Sequence, residues 1–141
     1  MTNLVYPQAY EGFLRGEISW NVATIKASAV RGYTYSAAHK FVADATGAGA
    51  TLVSTITLAG KTTTDGVADA DNDAWPAVPA GAPCDIILIY QSSAVGGGAD
   101  VAASAQRLIC ALDTATNLPF TPIGVDVDVR WPDDADKIFR I

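Results

Sequence analysis

Charge is scarce in this chain and nowhere concentrated. Only 17% of the 141 residues are Asp, Glu, Lys or Arg, and the nine basic ones are scattered singly from Arg15 to Arg140. With a net charge of −6, such a surface has no stripe that could track phosphates, which argues against a nucleic-acid partner. Histidine is nearly absent: His39 stands alone, and no Gly-x-Ser-x-Gly turn is present to offer a nucleophile. His39 is expected to make a local hydrogen bond that fixes a helix and its loop. The chain is expected not to be an enzyme and to need no cofactor. Cysteine is limited to Cys84 and Cys110, neither with a second Cys or His at metal-ligand spacing. Both read as reduced, small core residues. No apolar run is long enough to span a bilayer. The opening segment has no basic stretch ahead of an apolar one, so no secretory leader is expected and the chain reads as folded in a cytoplasm.

What is present is apolar and small. Half of the residues are hydrophobic, too many for a disordered chain, and the length suits one domain over residues 1–141 with a core of its own. Ala, Thr, Val and Gly dominate. A surface built from them is covered by neighbours at modest desolvation cost, which suits an assembly subunit.

Periodicity supplies the elements. Tyr6, Tyr10, Phe13 and Leu14 fall on one helical face, with Pro7 in the first turn and Gly16 near the end, so a short helix is predicted over 6–17. Residues 22–30 alternate as a strand. Ser36 is a good N-cap for a second short helix over 37–43, followed by a flexible connection at Thr46-Gly47-Ala48-Gly49. Residues 51–58 alternate with Leu52, Ser54, Ile56 and Leu58 on one face. The threonines at 62–64 favour extended chain, and Asp65-Gly66 is a turn. Ile86 to Tyr90 is a continuous β-branched run, the mark of a central strand. Gly96-Gly97-Gly98 is a flexible link with no phosphate-loop pattern around it. A strand is predicted over 106–112 and a loop over 113–119. Val125, Val127, Val129 and Trp131 then alternate with Asp126, Asp128 and Arg130. Asp133-Asp134 makes a last turn, and 137–141 forms a closing strand that buries Phe139 and Ile141. The sum is a mainly β chain: a single-domain β-sandwich or barrel of about six to eight strands with one or two short helices near the N-terminus.

Asp69, Asp71 and Asp73 match the first three ligand positions of a calcium loop. The glycine and closing glutamate that such a loop needs are Ala74 and Ala80, so no metal is expected there. Asp126 and Asp128 read as a solvent face. Trp20, Trp75 and Trp131 lie close to turns; rings so placed can line a sugar-binding face, but packing in the core or under a subunit contact is the expected use. Aromatic residues in irregular segments are the candidate subunit-contact anchors: Tyr33, Tyr35, Trp75 and Phe120.

Several segments carry a resemblance in order along the chain: the helix Tyr10 to Gly16, Val22-Ala-Thr-Ile-Lys-Ala, Gly32-Tyr-Thr-Tyr-Ser-Ala-Ala-His-Lys-Phe41, Ala50-Thr-Leu52 and Gly60-Lys-Thr62. Ala74-Trp-Pro-Ala-Val78, Ile87-Leu-Ile-Tyr90 and Lys137-Ile-Phe-Arg-Ile141 follow. Together they resemble a family of small structural proteins encoded among the virion genes of tailed phages. The resemblance implies a capsid decoration or minor capsid role, with the major capsid protein as partner, a homo-oligomer on the particle and location in the virion. A tail or head-to-tail component is the close alternative. A receptor- or glycan-binding module is a more distant one. The family offers no catalytic motif to carry over.

Overall fold

The computed structural model describes residues 4–115, 117–133 and 136–141. Met1, Thr2 and Asn3 of the opening segment, Thr116 of the expected loop and Asp134 of the expected turn lie outside the described residues. The chain is mainly β, as its periodicity predicts, with nine short strands and two α-helices among the described residues. The strands are β1 (Leu4–Val5), β2 (Ile25–Arg31), β3 (Thr51–Thr57), β4 (Val67–Ala68), β5 (Asp73–Trp75), β6 (Ile86–Gln91), β7 (Arg107–Leu112), β8 (Val127–Val129) and β9 (Phe139–Arg140). The helices are α1 (Pro7–Leu14) and α2 (Val42–Gly47).

Five strands form one antiparallel sheet in the order β1-β7-β6-β2-β3. The continuous run Ile86–Tyr90 takes the middle position, where both faces need apolar side chains, and every residue of β6 and β7 is buried. The remaining strands pair as two ribbons, β4 with β9 and β5 with β8. One buried cluster runs from Tyr6 to Phe139. No helix among the described residues is long and apolar enough to cross a membrane.

Register fixes what each face carries. Ser28 pairs with Thr55 and Leu88, and Ala27 with Ile56 and Ile89, so these two sets look to opposite sides. On the Ala27 side, Trp75 donates its indole N–H to the Ala27 carbonyl at 3.1 Å. The Gln91 amide, on the same side, accepts from Ser19 N and donates to Glu17 O. The stretch after α1 and the ribbons therefore cover this side. On the other side, Ser28 Oγ meets Thr55 Oγ1 at 2.6 Å.

Several local expectations are corrected. The second helix starts at Val42, not Ala37. Leu108 N donates to Lys40 O and Phe41 pairs with Arg107, so residues 40 and 41 run along β7 and the helix begins only after them. Ser36 closes a turn instead, taking Ala38 N on its side chain and His39 N on its carbonyl. The cap of α2 is Asp44, whose carboxylate accepts from Lys40 N and Phe41 N at 2.9 Å each. Thr46 and Gly47, expected in a flexible link, belong to this helix.

β3 is not one uninterrupted alternation. Ala29 pairs with Ser54 but Val30 with Leu52, leaving Val53 as an extra residue. The bulge turns Leu52 to the face opposite Ser54 and Ile56. The alternation over 125–131 is a strand only at Val127–Val129, opposite β5, while past Pro76 the Val125 carbonyl accepts from Val78 N at 3.0 Å. In the closing segment, Ile138 and Phe139 are buried and Ile141 is not, at 63% exposure.

The mouth of the excursion between β2 and β3 is narrow. Gly32 and Gly49 both have positive φ. A Cβ on Gly49 would lie 2.7 Å from the Gly32 carbonyl oxygen, and one on Gly32 3.0 Å from that of Gly49. Only glycine fits both the dihedrals and the gap.

Candidate contact surface

The four aromatic candidates resolve into two separate pairs. Tyr33 and Tyr35 lie in the excursion after β2. Tyr33 is buried, and its hydroxyl lies 2.7 Å from that of Tyr6 and 2.7 Å from His39 Nδ1. Tyr6 is fully buried and its hydroxyl has only Tyr33 as partner among the described residues. The Tyr33 hydroxyl therefore joins the other two groups, and His39 Nδ1 is committed to a structural bond. Burial pushes the Tyr6 hydroxyl far above its usual range, and its hydrogen bond with Tyr33 adds to the rise. Tyr35 packs against Tyr6, rings 5.1 Å apart, and stays half-buried.

Trp75 and Phe120 form the second pair, their rings stacked 6.2 Å apart. Trp75 is 2% exposed; Phe120 is half-buried. They border an open groove of about 1170 Å³ whose wall continues through Leu112, Leu118, Val127 and Trp131. Trp131 is itself buried, with its indole N–H on the Asp71 carbonyl. Of the four candidates, then, Tyr33 and Trp75 are core residues in this chain. Tyr35 and Phe120 keep part of their area exposed.

The aspartates once considered for calcium take separate tasks. Asp69 pairs with Lys137 at 3.2 Å, Asp71 rests its carboxylate where a Gly60 side chain would stand, and Asp73 accepts from Ala74 N. No group of three or more His, Cys, Asp or Glu among the described residues is placed to hold a metal. Cys84 and Cys110 are both free and buried, and burial raises both thiols above their usual range.

Two features were missed from sequence. Arg107 sits buried at the head of β7, with Nη1 on Glu17 at 2.6 Å, Nη2 on the Gln8 carbonyl at 2.7 Å and its guanidinium over Phe41. It ties α1 to the sheet, and the signal was a lone cation opening an otherwise apolar strand. The second is an apolar cleft of about 360 Å³ lined by Phe13, Trp20, Val67, Phe139 and Ile141. Phe139 stands edge-on to Trp20 at 5.2 Å and 6.1 Å from Phe13. Large apolar side chains elsewhere are open to solvent: Leu14 at 89%, Ile123 at 71% and Val22 at 60%. Exposed apolar groups of this size, when grouped, are what partners cover.

Comparison of the chain with protein-family models, with curated proteins and with solved structures gives no significant match.

Proposed function

We propose that this chain is a non-enzymatic structural protein of a phage particle, attached to the head as a decoration or minor capsid subunit by contacts with the major capsid protein. The observation that carries the reading is the ordered set of segments, from Tyr10–Gly16 through Gly32–Phe41 to Lys137–Ile141, that resembles small virion proteins. The geometry is in keeping with it. The polar groups most suited to chemistry, His39 and the tyrosines beside it, are engaged in holding the chain to itself. The surface carries half-open rings, Tyr35 and Phe120, and an apolar cleft at Phe13, Trp20 and Phe139. Contacts of this kind are weak singly and add up on a repeating lattice.

The test mixes the purified protein with particles that lack it, over a range of salt. Attachment should saturate at a fixed number per particle, locate to heads in fractionated head and tail preparations, and change only modestly with salt. Saturation on tails instead assigns the close alternative. Binding to free DNA that collapses as salt rises overturns the reading.

A further inference from the structure

We draw no further inference here: the strongest candidate, the uncharged apolar surface patch where residues 76–83 run beside residues 120–125 and leave Ile123 and Val125 open to solvent, carries nothing because nothing in the structure shows what covers it.

Discussion

Tyr33 is the middle of a three-member relay, and its position makes it the costliest member to lose. Tyr33→Phe leaves the buried Tyr6 hydroxyl and His39 Nδ1 both without the partner they share. An unsatisfied buried group costs about 1–3 kcal/mol. Tyr6→Phe removes only the terminal hydroxyl, so it should cost less. Urea unfolding at constant slope should rank Tyr33→Phe below Tyr6→Phe in stability; the reverse order would show that the relay runs differently. The sequence had marked His39 as a local hydrogen-bonder, and that much was legible from its isolation. Its partner was not, because Tyr33 reaches it across a turn that periodicity does not describe.

Among the elements, the most legible were those whose burial is uniform. Ile86–Tyr90 is apolar at every position, so no choice of face arose and its central place followed. Elements whose limits depend on a partner were legible only in part. α2 starts late because Lys40 and Phe41 pair with β7, and β8 is a strand only where β5 lies opposite it. Neither fact resides in the segment it limits. The closing segment separates these cases by experiment. Phe139 packs against Phe13 and Trp20, whereas Ile141 is largely open. Phe139→Ala should cost about 3–5 kcal/mol. Ile141→Ala should stay within about 0.5 kcal/mol. Thermal melts of the two variants check this. Equal losses would mean that the closing strand is buried along its whole length, as alternation alone suggests.

For the whole molecule, the clearest electrostatic consequence lies at high pH. Burial raises the thiols of Cys84 and Cys110 above their ordinary 9.0 and the hydroxyls of Tyr6, Tyr33 and Tyr35 above their ordinary 10.0. The folded chain therefore holds protons that the unfolded chain releases. The stability from these groups is complete below pH 9 and is lost as pH rises, first through the thiols and then more steeply past 10. Tyr6, wholly buried, contributes about 1.4 kcal/mol per pH unit once the unfolded phenol ionises. Melting temperature should fall across this range, phenolate absorbance should rise together with unfolding, and Tyr6→Phe should make the fall shallower. A full phenolate signal from a chain that is still folded would contradict the burial. At this scale the exposure of the aromatic residues was the least legible part of the molecule. Tyr33 and Trp75, expected as contact anchors, are buried in this chain. A linear sequence does not say which irregular segments fold back and which stay open, and the same gap hid the exposed Leu14, Val22 and Ile123.

Gly32 and Gly49 leave a different kind of trace. A Cβ added at Gly49 or at Gly32 would meet the facing carbonyl oxygen at 2.7 or 3.0 Å. A side chain at one forces the mouth apart, and once it is apart a side chain at the other meets less resistance. The strain of the two changes is therefore shared, not summed, although they lie at opposite ends of the excursion that holds Tyr33, His39 and α2.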